Sequence, residues 1–183
     1  MTRFAIRKHD PSSRRALLLG TALVLLTGGC SASGRVAARR LLDDMSTGNR
    51  KLATTITRFN EVLLERVNDK CNDEAVLNSL EGVRALIREL DEASQGWKIP
   101  ETVEAVAVVK AYRDHLAGRD SLFAEKVPLI LESLAVPELT KAERSKRTKG
   151  VFDQIRVAEK KSLKALRDEQ RKFAASAGIF AYD

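Results

Sequence analysis

Cysteine and histidine are scarce here, two of each in 183 residues. A cysteine-framework fold and a multi-ligand zinc site are therefore not expected. Aromatic residues make up 5% of the chain, with one Trp. That removes the stacking platforms on which single-stranded nucleic acid is held, so no nucleic-acid partner is expected. Four prolines and ten glycines exclude a collagen or a Pro/Gly-rich low-complexity chain. The longest charge-free apolar run, residues 16–27, has twelve residues. A spanning helix needs roughly twenty, so a permanent transmembrane anchor is not expected. Catalytic signatures are missing as well. The chain holds no Gly-rich phosphate loop, no His-Glu-x-x-His and no nucleophile elbow. It also holds no Glu-x-x-His pair for a di-iron bundle and no Cys-x-x-Cys-His for haem. Neither an enzyme nor a cofactor is expected.

What is present begins with an address. Residues 1–15 carry Arg3, Arg7, Lys8, Arg14 and Arg15 against one acid, Asp10. The apolar run ALLLGTALVLLT follows, then Gly28, Gly29 and Cys30. A basic stretch, a short apolar stretch and small residues form the pattern of a secretory signal peptide. Its end, LLTGGC, resembles the lipobox of bacterial lipoproteins, with Thr27 where that family most often has Leu. The resemblance covers about thirty residues. It implies a signal peptide over residues 1–29, cleavage after Gly29, and a diacylglyceryl thioether on Cys30 with acylation of the new amine. The membrane would then be held through acyl chains on Cys30. In a Gram-negative cell, Ser31 rather than Asp after the Cys resembles the class sorted to the outer membrane, on its periplasmic face. Ser13-Arg14-Arg15-Ala16-Leu17-Leu18 also resembles a twin-arginine export signal, with Leu17 where Phe is commonest. Sec and twin-arginine export both remain open.

Past residue 29 the chain keeps 27 basic and 24 acidic residues, a net charge of +3 against +7 for the whole. Residues 30–34 read as the lipidated Cys and a short small-residue tether, 35–178 as the folded domain, and 179–183 as a tail. Within the domain, apolar residues recur every three or four positions, which marks helices. The first segment runs Ala38, Leu41 or Leu42, Met45, Leu52, Ile56, Phe59, Leu63, Val67, with a break or kink expected at Ser46-Thr47-Gly48-Asn49. The second follows an N-cap at Cys71-Asn72-Asp73 and runs Val76, Leu80, Val83, Ile87, Leu90 and on to Trp97. The third runs from near Glu101 to Leu134, with a kink expected near Pro128. The fourth follows Pro137, and Thr140 with Glu143 fits a capping box. Its apolar face is Phe152, Ile155, Ala158, Leu163, Leu166, Phe173 and Ala177, and Gly178 is its stop. No stretch holds a period of two. The expected fold is all-α, an antiparallel up-down four-helix bundle of long helices without a sheet, present as a monomer or weak dimer.

Candidate functional residues are few. His115 is expected at a surface or boundary position. Cys71, in a polar turn, reads as an inert thiol or as half of an intermolecular disulfide. Trp97 is expected to pack its ring on the end of the core. Carboxylate pairs such as Asp43-Asp44 and Asp91-Glu92 are adjacent on a helix, do not converge, and read as solvated. Charge is most uneven over residues 138–172, with 12 basic and 6 acidic residues. Lys141, Arg144, Lys146, Arg147 and Lys149 cluster there. Three readings stay open for them: a solvated helix face, a contact with anionic lipid headgroups beside the anchor, or a contact with an acidic envelope protein. Function is expected to be that of a lipid-anchored structural, adaptor or binding module. The alternative is a small-molecule carrier with a pocket between helices, where Pro128 and the small side chains of Ala105, Ala107 and Ala111 leave room.

Overall fold

The computed structural model describes residues 32–136 and 138–180. Four helices account for nearly all of them: α1 (Ala32–Val67), α2 (Asp73–Gln95), α3 (Val103–Ala135) and α4 (Lys141–Ser176). No strand occurs among the described residues. At 1.5 Å per residue, α1, α3 and α4 are each about 50–54 Å long and α2 about 35 Å. Each helix packs on the next, α4 closes back on α1, and α1 touches α3 across the middle. The chain is an antiparallel four-helix bundle.

Local chemistry sets the helix ends. The Asn72 side chain accepts from the Ala75 N–H and caps α2. Thr140 and Glu143 form a reciprocal capping box on α4. Gly178, at φ +66°, supplies the left-handed residue that ends α4, and the Ile179 N–H returns to the Ala174 carbonyl at 2.8 Å. At the end of α2, Arg113 reaches across from α3 and donates to both Ser94 Oγ and the Ser94 carbonyl at 2.8 Å. A cation there opposes the negative end of the helix dipole.

Two expectations about α1 need correction. The helix starts at Ala32, so Ala32, Ser33 and Gly34 form its first turn rather than a tether. The run Ser46-Thr47-Gly48-Asn49 does not break it either. Gly48 is buried because the helices approach closely at that point. A Cβ added there would collide with Tyr112 Oη and stand 3.1 Å from Leu90 Cδ2. Packing, not a turn, requires the glycine. Helix α3 runs through Pro128, which is exposed and lies inside the helix as the sequence placed it.

The core is a continuous column of Leu, Ile, Val and Phe side chains from all four helices. Phe59 and Phe123 meet edge to face at 5.7 Å between centroids. Trp97 covers the end of α2 with its ring 5.1 Å from that of Tyr112, as expected from the sequence. Outside the core, Arg84 of α2 pairs in a two-pronged fashion with Asp120 of α3, at 2.8 and 3.2 Å. No helix among the described residues is long and apolar enough to cross a membrane.

Candidate functional site

The two ends of the rod differ in chemistry. Cys30 lies outside the described residues, but α1 begins two residues after it. The end that holds the start of α1 also holds the end of α4: a side-chain carbon at Gly178 would lie 3.8 Å from Arg35 Cδ. That end exposes Val36, Val103 (82%) and Phe180 (90%). Arg35, Arg39 and Arg40 are exposed among them. Because α2 is short, a groove of about 560 Å³ opens beside Val36, Ala37, Leu41 and Trp97.

The basic cluster sits at the opposite end. Helix α4 begins there, beside the α1–α2 turn, where Arg144 pairs with Asp69 at 3.6 Å. Lys141, Lys146, Arg147 and Lys149 are exposed; Thr148 between them is buried and faces the bundle. The five basic residues expected to act together thus divide. Four face solvent, and Arg144 is half-buried against its carboxylate partner. The length of α1, about 54 Å, separates this end from the start of α1.

Cys71 is less exposed than a polar turn implies. Its thiol donates to the Val62 carbonyl at 3.4 Å, and the residue packs on the core. No group of three or more His, Cys, Asp or Glu able to hold a metal occurs among the described residues.

His115 is the clearest departure from the sequence reading. Only 2% of it is exposed, so it is a core residue rather than a boundary one. Its Nδ1 lies 2.8 Å from Ser162 Oγ of α4, and Nε2 is buried without a hydrogen-bond partner. Burial, with the Arg119 guanidinium adding to it, lowers its pKa to about 4. The imidazole is therefore neutral at physiological pH.

His115 belongs to a polar layer that crosses the bundle at mid-height. Gln170 is buried at the α4 position where the spacing of Leu166 and Phe173 calls for an apolar residue. Arg119 stands one turn beyond Leu116 on the core side of α3. Its Nε lies 3.4 Å from Glu159 Oε1, an ion pair outside hydrogen-bonding geometry, so neither atom has a hydrogen-bond partner. Burial pushes the Glu159 carboxyl up, and Arg119 opposes the shift. Asn49 Oδ1 is a further buried acceptor without a partner. An unsatisfied buried polar atom costs about 1–3 kcal/mol, so a cluster of them at one level calls for partners from outside the protein, water or ligand.

That layer lines a cavity of about 470 Å³ between α1, α3 and α4. Ser46, Asn49 and Arg50 come from α1, and His115 and Arg119 from α3. Arg167, Gln170 and Arg171 come from α4. Four arginines line it and no acidic residue does. Arg50, Arg167 and Arg171 are exposed and make no ion pair among the described residues; Arg119 is half-buried. The cavity does not lie beside Ala105, Ala107 and Ala111 or at Pro128, where the sequence suggested room. Ala105 is fully buried by its neighbours.

Sequence reasoning missed these lining residues. A signal was present: His115, Arg119 and Gln170 all fall on the three-or-four spacing of the core stripe. Comparison with protein-family models, with curated proteins and with solved structures finds no match for this chain.

Proposed function

We propose that this chain is a lipid-anchored envelope lipoprotein whose bundle stands on the membrane as a binding module and presents its basic end to an acidic partner protein. The observation that carries this reading is the polarity of the rod. The lipobox-like LLTGGC leads into α1 after one residue. Basic and apolar side chains crowd that end, a composition that suits headgroups and the acyl boundary. Lys141, Lys146, Arg147 and Lys149 stand about 50 Å away along α1. That is several Debye lengths at physiological salt, where the length is about 8 Å. A rod standing on its anchor keeps these charges beyond the field of its own bilayer. A partner facing the bilayer is the better match than lipid beside the anchor.

The test compares wild type, Cys30→Ala and a triple variant carrying Lys146→Glu, Arg147→Glu and Lys149→Glu. Wild type should show the added mass of acyl chains on Cys30, and Cys30→Ala should leave the membrane fraction. The triple variant should stay in the membrane but lose salt-sensitive crosslinks to envelope proteins. No lipid on the wild type, with Cys30→Ala still in the membrane, refutes the anchor. Undiminished crosslinks from the triple variant refute the basic end as the contact. The second reading, a small-molecule carrier, is favoured by one observation, the polar cavity between α1, α3 and α4.

A further inference from the structure

The cavity's lining is chemically one-sided. Arginines from three helices line it, and no acidic residue lies in its wall. Arginines taken into a bundle usually pair with acids, as partly buried Arg84 does with Asp120 in this chain. Arg50, Arg167 and Arg171 do not pair among the described residues, and half-buried Arg119 has the poorly aligned contact with Glu159. A planar guanidinium presents a fork of N–H donors that matches the oxygens of a carboxylate or phosphate.

The buried part of the lining is suited to the same task. His115 is neutral, so one ring nitrogen carries a proton and the other accepts. If the Ser162 hydroxyl donates to Nδ1, the proton sits on Nε2, which has no partner within the protein. Gln170 adds an amide NH2 whose sole contact is Met45 Sδ at 4.0 Å, a weak one. Asn49 can turn its amide to offer a donor. The volume, about 470 Å³, falls in the range of small-molecule sites.

We propose that this cavity binds a small multivalent anion, a phosphate- or carboxylate-bearing molecule, held by Arg50, Arg119, Arg167 and Arg171, with His115 Nε2–H and Gln170 as the buried donors. The inference rests on the carrier reading of the cavity and is independent of the anchor. The site lies on α1 some 14–18 residues past Ala32, about 20–27 Å along the helix. In an upright rod that is above the headgroup layer, so the ligand is a soluble anion rather than the phosphate of the anchoring lipid.

The experiment is calorimetric titration of the protein purified in the form its own cell makes, at two ionic strengths. The probes are inorganic pyrophosphate, succinate and the neutral succinamide. Either anion should bind, and succinamide should not. Arg167→Gln with Arg171→Gln should weaken binding about tenfold or more. Lys160→Gln with Lys164→Gln removes the same charge from exposed positions of α4 outside the cavity and should leave affinity within about twofold, since screened surface charges contribute little. The nitrogen chemical shifts of His115 should move on saturation, a readout that non-specific surface binding leaves unchanged. Equal loss in both double variants, or a silent His115, overturns the assignment. Binding of succinamide but of neither anion keeps a carrier and removes the anion. No binding by any probe removes both. Folding of each variant is checked by its thermal transition. If the arginine pair unfolds, Arg50→Gln, at an exposed site on α1, gives the same comparison.

Discussion

Gly48→Ala should destabilise this bundle, although the same exchange at Gly82, Gly118 or Gly150 should stabilise it. All four glycines lie inside helices. Nothing stands within 4 Å of a Cβ built at the latter three. There, alanine simply removes the backbone-entropy cost of glycine, a gain of about 0.5–1 kcal/mol. For a domain of this size that is a rise of roughly 1–4 °C in Tm. At Gly48 the same gain is opposed by contact. The new methyl meets Tyr112 Oη inside van der Waals distance, and Leu90 Cδ2 stands 3.1 Å from it. Tyr112 cannot swing clear, because it is wholly buried and its ring lies against Trp97. Overpacking of this kind costs about 1–3 kcal/mol. Gly48→Ala should therefore melt roughly 2–12 °C below the mean of the three control variants.

The colliding atom can be deleted. Tyr112 Oη is buried without a partner, and its burial raises the phenol pKa to about 12. Tyr112→Phe should thus be neutral or stabilising by itself, since it removes an unsatisfied polar group. With the hydroxyl gone, the nearest ring atom to the new methyl is Cζ at 3.6 Å, an ordinary contact. The double variant should recover about 1–2 kcal/mol relative to additivity, because the two sites touch. Thermal and urea unfolding followed by helix ellipticity measures each corner of the cycle. Gly48→Ala as stable as Gly118→Ala, or a cycle that closes additively, would refute the argument that this glycine exists to admit Tyr112.

Leu80→Asp and Ile155→Asp each place an unpaired carboxylate in the core and should cost roughly 3–5 kcal/mol. Leu77→Asp, on the half-exposed side of the same α2, should stay within about 0.5 kcal/mol by the same unfolding assay. His115 should make the fold acid-sensitive. Its folded pKa, about 4, lies below the free value of 6.5, so the unfolded chain takes up a proton that the fold refuses. Its contribution is complete above about pH 6.5, falls by up to about 3 kcal/mol on the way to pH 4, and is flat below that. His115→Asn should show a shallower loss across that window in urea titrations, and an unchanged slope would assign the acid sensitivity elsewhere.

The fold was largely legible because each helix repeats its apolar residues at three and four. The caps at Asn72 and Thr140–Glu143 use side-chain chemistry that is local in sequence. The misreadings share one cause, which is that propensity is local and packing is not. Ser46-Thr47-Gly48-Asn49 looks like a breaker by composition. In the bundle its glycine admits Tyr112 from a helix sixty-four residues away, and Ser46 and Asn49 line the cavity. His115 looks like a boundary residue because Asp114 precedes it, yet adjacent helical positions point about 100° apart and the two side chains diverge. Arg119 and Gln170 were hidden by their polarity. A search for apolar residues at core spacing skips the polar ones that occupy it.

The basic end has a further property that its position on the helix explains. Lys141 and Arg144 lie in the first turn of α4, where the unsatisfied N–H groups give the helix a partial positive charge. Cations there are disfavoured by about 0.3–1 kcal/mol each at low ionic strength. Glu143 is the one acid in that turn, and the capping box with Thr140 lowers its pKa. Arg144 is partly compensated by Asp69. Lys141 has no ion-pair partner among the described residues, and Lys146, Arg147 and Lys149 extend the charge through the next turns. A sequence tuned only for the stability of α4 would place acids at this end and bases at the other. Helix α2 does the first of these, opening on Asp73 and Glu74. The internal electrostatics of α4 therefore oppose the cluster, and on the reading proposed above a compensating gain comes from outside the helix. An acidic surface brought against this end would supply that gain, reversing the sign of the local energy when it binds.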